Sequence, residues 1–194
     1  GKTTVLRAIA GLQPVSAGSI HIGGREVCGP NLSLPPERRR VGMVFQDHAL
    51  FPHLTVEQNV ASGLRNLNSQ QRQRNVLELL DRMGLELHAA RYPHELSGGQ
   101  QQQLAIGRAL VGEPRLLLLD EPTEGIQPNI ISEIGRVLKF LTAEKGMTIL
   151  LVEQYLDFVR EYTDDFYIMN RGEIVASGET AKLEDETISK YLSV

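Results

Sequence analysis

The first four residues, "GKTT", set a lysine and two hydroxyls directly behind a glycine. That order matches the closing half of the phosphate-binding pattern G-x-x-x-x-G-K-[ST]. In such a loop Lys2 places a point charge on the β and γ phosphates and the Thr3 hydroxyl ligates Mg²⁺. Backbone N–H groups from Gly1 through Thr4 would cradle phosphate oxygens at the positive end of a helix. Four letters recur by chance, and Lys before Thr is ordinary helix-start composition, so the reading depends on residues downstream.

Two further stretches carry chemistry of the same kind. "LLLLDEP" is an apolar run ending in Asp120 and Glu121. A buried strand of this kind delivers both carboxylates to the C-terminal edge of a sheet, where ligands bind in open α/β folds. Asp120 there suits the Mg²⁺ shell, and Glu121 suits polarising an attacking water; the alternative is a solvated acidic turn. "LSGGQ" offers the Ser97 hydroxyl, close backbone approach at Gly98 and Gly99, and Gln100, all at a helix start that suits an anion. Its alternative is a flexible loop with a serine cap. Because one phosphate loop is already present, a second anion-binding helix start implies a nucleotide held by another copy, hence a dimer.

Positioning these groups takes alternating helices and strands. In "VLRAIAGL", Leu6, Ile9 and Leu12 have helical spacing, and Gly11 with Pro14 closes the helix. "GSIHIGGREV" predicts a hairpin around Gly23 and Gly24, and "VGMVF" a short buried strand leading to Gln46. From Thr55 to Leu87 the pattern is helical, with Val76, Leu79, Leu80 and Met83 on one face. The remainder predicts a helix after "LSGGQ", the strand through "LLLLD", a helix from about Pro128, the strand "MTILLV", a helix from about Tyr155 and the hairpin "DFYIMNRGEIVASG". Strands that are near-continuous apolar runs between helices indicate a largely parallel α/β sheet.

Composition narrows the partners. With 194 residues, 41% of them hydrophobic, and a net charge of −4, the chain suits one sizeable core and has no general attraction to nucleic acid or anionic lipid. The single cysteine, Cys28, allows neither an internal disulfide nor a thiolate metal cluster, fits a reducing cytoplasmic setting and reads as structural. No run approaches the roughly 20 apolar residues that cross a bilayer, so a link to a membrane is expected to pass through a partner.

Taken in order, "GKTT", Gln46, "LSGGQ" and "LLLLDEP" resemble the ATP-binding subunit of an ABC transporter. The resemblance implies a P-loop NTPase (RecA-like) α/β core over 1–48 and 116–194, the latter closing with a hairpin and helix, interrupted by a helical subdomain over 49–115. It implies two such subunits, identical or different, that sandwich two MgATP, each bound by one subunit's phosphate loop and by Ser97 to Gln100 of the other. Gln46 would touch Mg²⁺ and the water while sensing an integral membrane permease, itself served by a substrate-binding protein. The subunit would sit in the cytoplasm on the inner face of the membrane, with no nucleic-acid partner. Residue 1 would then be a cut edge within an ATP site.

Two positions depart from the family's commonest pattern. "VEQY" puts Gln154 where a switch histidine is usual, and "EGIQ" puts Gln127 where an aspartate is usual. Glutamine still donates to a γ-phosphate but does not titrate near neutral pH. Both departures, with "YIMNRGEIVASGET" and "ISKYLSV", resemble the urea and branched-chain amino acid importer ATPases. "LPPERRRVGMVFQDHALFPHLTVEQNVASGL" and "RYPHELSGGQ" resemble the ferric-iron and polyamine type instead; the "ERRR" run by itself would be a solvated loop. The two patterns meet at "LSGGQQQ", which suggests a chimera, with urea or branched-chain amino acids as the expected cargo and ferric iron or polyamine as the alternative. The other classes weighed are a permease-free ABC ATPase and an inactive truncated fragment. One cysteine builds no zinc cluster, and no heptad coiled coil separates loop from signature, which disfavours repair and chromosome ATPases.

Overall fold

The computed structural model describes residues 1–64, 68–184, 188 and 191. Helix α1 (Lys2–Ala10) begins on Gly1, closer to the chain start than expected, and ends at Gly11 in the left-handed conformation, φ 82°. A three-stranded antiparallel sheet follows, made of β1 (Ile20–Ile22), β2 (Arg25–Gly29) and β3 (Leu32–Ser33). Gly23 and Gly24, both at positive φ, form its first turn as the sequence predicts. The two-residue β3 has no sequence signal of its own.

The central sheet is β4 (Val41–Val44), β5 (Leu116–Asp120) and β6 (Thr148–Val152), all parallel, with β5 in the middle. The core is parallel as expected, while β1–β3, and the hairpin of β7 (Asp165–Asn170) and β8 (Glu173–Glu179), are antiparallel. The leucine run explains the middle position. Leu118 is buried with Leu6 and Ala10 of α1 on one face. Leu117 and Leu119 are buried on the other face, in the larger cluster with Leu104, Ile106 and Ile134. A strand covered on both sides has no polar face, which is why its sequence does not alternate.

Helices α2 (Val56–Ala61), α3 (Ser69–Arg82) and α4 (Gly98–Leu110) lie in sequence between β4 and β5. Val76, Leu80 and Met83 are buried on the predicted α3 face, and Leu79 packs against the same cluster. Helix α5 (Pro128–Lys145) starts with its proline and stops at Gly146 in the left-handed conformation. Helix α6 (Leu156–Tyr162) starts beside Tyr155, as its sequence predicts. The helix expected to close the chain after the last hairpin falls largely outside the described residues.

Candidate active site

The register of the central sheet gathers the chemical residues. Val44 pairs with Leu119, and Asp120 pairs with Val152, so β4, β5 and β6 end at the same edge. Gln46 follows β4, Asp120 and Glu121 end β5, and Glu153 with Gln154 follow β6. Lys2, at the start of α1, reaches that edge too, its Nζ 3.9 Å from Glu121 Oε1. The amide Nε2 of Gln154 donates to the same Oε1 at 2.7 Å. Lys2, Glu121 and Gln154, read separately from sequence, are thus joined at one oxygen.

Backbone geometry sets Glu121 apart from its neighbours. It sits at φ 49°, in the left-handed region that a non-glycine residue occupies only where its surroundings hold it. Its N–H donates to the carbonyl of Val152 at 2.9 Å, tying it to the end of β6. Asp120 is buried at the last position of β5. Thr3 is half-buried in the first turn of α1, whose start has neither a side-chain cap nor an acidic residue. The N–H groups that open a helix have no partner within it, so Gly1 to Thr4 present free donors and a positive dipole end.

Gln46 is engaged differently from the expectation: its Nε2 donates to Glu124 Oε2 at 2.5 Å, leaving the amide oxygen as its acceptor. Oxygen is therefore the only ligating atom that Thr3, Gln46 and Asp120 offer. A carboxylate with a hydroxyl and an amide suits Mg²⁺, which keeps waters and takes phosphate oxygens besides. Among the described residues no group of three or more His, Cys, Asp or Glu is placed to hold a metal ion.

The structure does not bring Ser97 to Gln100 to these residues. Ser97 caps α4: its hydroxyl accepts from Gln100 N at 3.2 Å, and its own N–H donates to Gln100 Oε1 at 3.0 Å, the reciprocal capping box. The flexible-loop alternative is thereby corrected to a rigid helix start. Gly98 is exposed, whereas Gly99 is buried against α5: a Cβ there would sit 2.7 Å from Ile130 Cγ2. Gly99 answers a packing need, and only Gly98 keeps the open backbone that the sequence suggested for both. Gln127, at the start of α5, is exposed.

Three contributors escaped the sequence reading. Glu153 accepts from the N–H and hydroxyl of Thr123 and from the N–H of Gln154 and Tyr155. Arg39, in the run expected to be solvated, is 4% exposed; its Nη1 donates to the carbonyls of Ala8 at 2.8 Å and Ile9 at 3.0 Å, and its Nε to that of Leu34 at 2.8 Å. It thereby holds the last turn of the helix that carries Lys2. Arg108 of α4 donates to the carbonyls of Ala49 and His48, at 2.7 and 3.4 Å, and fixes the loop after Gln46. Burial lowers the pKa of both His48 and Arg108, with Asp47 opposing at His48.

Comparison with known proteins gives a consistent picture. The family model described as ABC transporter matches residues 1–124. The chain is 41% identical over 184 residues to an Fe(3+) ions import ATP-binding protein of Pseudomonas fluorescens, covering 94% of this chain and 52% of that protein. It is 40% identical over 186 residues to a methionine import ATP-binding protein of Brucella abortus, covering 94% and 50%. A solved dimer of an ATP-binding cassette in a post-hydrolysis state, bound to ADP and Pi, superposes with a TM-score of 0.82 at 30% identity, covering 94% of this chain and 82% of that one. The chain spans about half the length of the curated relatives it matches.

Proposed function

Because the chain belongs to the ABC transporter family, we propose that it is the ATP-binding and ATP-hydrolysing part of an importer subunit that drives uptake through a separate membrane permease. The observation that carries this reading is the junction at Glu121 Oε1, where Lys2 and Gln154 converge beside buried Asp120. Lys2 and the free N–H groups of α1 hold the β and γ phosphates. Glu121 takes the proton of the attacking water, and the Gln154 amide donates to the γ-phosphate. Thr3, Gln46 and Asp120 would hold Mg²⁺, which supplies neutralising charge on the phosphates when bound.

Ser97, Gly98 and Gln100, with Gly99 packed beneath them against α5, act toward the nucleotide of a second subunit, since none of their hydrogen bonds reaches Lys2, Asp120, Glu121 or Gln154. The same proposal divides the chain into a core of 1–48 and 116–194 and a helical subdomain of 49–115. Among the described residues no helix is long and apolar enough to cross a membrane, so attachment at the inner face would come through the permease and, indirectly, its substrate-binding protein.

For cargo, the relatives favour the ferric-iron type over the urea or branched-chain amino acid type first expected. The iron and methionine import proteins each align over 94% of the chain, through the "LSGGQQQ" join, which favours one lineage over a chimera. Sequencing the complete gene as a single molecule tests that point.

The catalytic reading is tested by Glu121→Gln in the full-length protein. MgATP should still bind, while turnover falls roughly 10²- to 10⁴-fold, as for loss of a general base. Turnover equal to the parent would rule the assignment out.

A further inference from the structure

We propose that Glu153 is the positioning residue for the Glu121–Gln154 pair, an inference that rests on the roles just given to that pair. An ionised carboxylate offers about four lone-pair sites, and Glu153 fills four. Its Oε1 accepts from Thr123 N at 3.1 Å and Thr123 Oγ1 at 2.5 Å; its Oε2 accepts from Gln154 N at 2.7 Å and Tyr155 N at 3.2 Å. No lone pair remains for a metal or for a water proton. Glu121 differs: among the described residues its side-chain contacts fall on Oε1 alone, so its second oxygen stays open to chemistry.

What Glu153 holds is the frame around that chemistry. Thr123 is buried two residues after Glu121, and the Gln154 N–H belongs to the residue whose side chain reaches Glu121. The turn closes through Glu124 N donating to the Glu121 carbonyl at 3.2 Å, and Glu121 N donating to Val152. Glu153 completes the ring by binding this turn to the one after β6. The left-handed backbone of Glu121 needs such over-determination, since nothing in its own side chain favours φ 49°. Charge-assisted acceptance from backbone N–H groups gives the clamp strength that a neutral side chain would lack.

The test is a turnover cycle in the full-length protein with MgATP, combining Glu153→Gln with Gln154→Ala. Glu153→Gln keeps the volume but replaces one acceptor oxygen with an amide nitrogen, which donates and cannot accept. Its kcat should fall about tenfold or more, while KM and the Kd for a non-hydrolysed ATP analogue change less than about threefold. In the Gln154→Ala background the same substitution should cost at least about threefold less, because one of the groups it positions is gone. Equal cost in both backgrounds, or a rise in KM that matches the loss in kcat, overturns the proposal.

If Glu153→Gln fails to fold, Thr123→Val carries the test, since it removes only the hydroxyl donor. It should lower kcat about threefold, again less in the Gln154→Ala background, and unchanged turnover counts against the proposal. Glu121→Gln measured alongside separates the two readings. Turnover retained there removes the base assignment and this inference with it; turnover lost there but retained in Glu153→Gln removes this inference alone.

Discussion

Arg39 places a buried cation at the negative end of α1, where the last carbonyls of a helix lack partners within it. Its planar fork reaches the carbonyls of both Ala8 and Ile9 while Nε takes Leu34, a geometry that a lysine point charge cannot copy. It also lies across Gly11, where a Cβ would come within 2.6 Å of its Nε. Arg39→Met should therefore lower stability by ~1–3 kcal/mol, the cost of leaving buried acceptors short of donors, and Arg39→Lys should recover little of it. Chemical denaturation of the three proteins, read by circular dichroism, checks both outcomes. At this scale Lys2, Asp120, Glu121 and Gln154 were legible because each sits in a short string with a local signature. Arg39 and Glu153 were not, since their partners lie about thirty residues away and nothing in "ERRR" or "VEQY" names them.

The loop from Gln46 to α2 is an element shaped by long-range restraint. His48 and Ala49 both have positive φ, near 58° and 47°, and Arg108 of α4 holds their carbonyls while lying 5.0 Å above the Phe51 ring. Buried Asn59 of α2 secures the other side by bonding the backbone of Phe51 and Leu54. Burial depresses the His48 pKa below its ordinary value of 6.5. As pH falls below 6.5 the unfolded chain takes up a proton that the folded loop resists, so stability is lost on acidification, by at most about 1.4 kcal/mol per pH unit for one group. His48→Asn, which tolerates the same backbone, should flatten that slope in melting curves taken between pH 7.5 and 5.5. A slope identical to the parent's would place the acid sensitivity elsewhere. Helix starts were readable here from Thr55, Ser97 and Pro128, because caps are local; the left-handed pair at 48 and 49 was not, because only Arg108 explains it.

Across the whole molecule, one parallel sheet brings residues from three separate stretches of chain to a single edge, and α1 adds Lys2 as a fourth. Parallel pairing was legible from the unbroken leucine run, whereas the flanking antiparallel sheets show that hairpins elsewhere serve a different layer. Ser97 caps α4 and its hydrogen bonds stay within that cap, so its proposed role toward the nucleotide of a second copy is tested by association. Glu121→Gln protein with ATP should shift from monomer to dimer in light scattering, and adding Ser97→Arg should block the shift while nucleotide still binds. A dimer that persists in the double variant would exclude the exposed start of α4 as its contact. Arg39 then takes on a mechanical meaning. It fixes one end of α1 as a wall fixes a cantilever, with Lys2 at the far tip, so under the phosphate role proposed for Lys2 a pull on that tip would pass to the Leu34 loop and the strand that leads to Gln46.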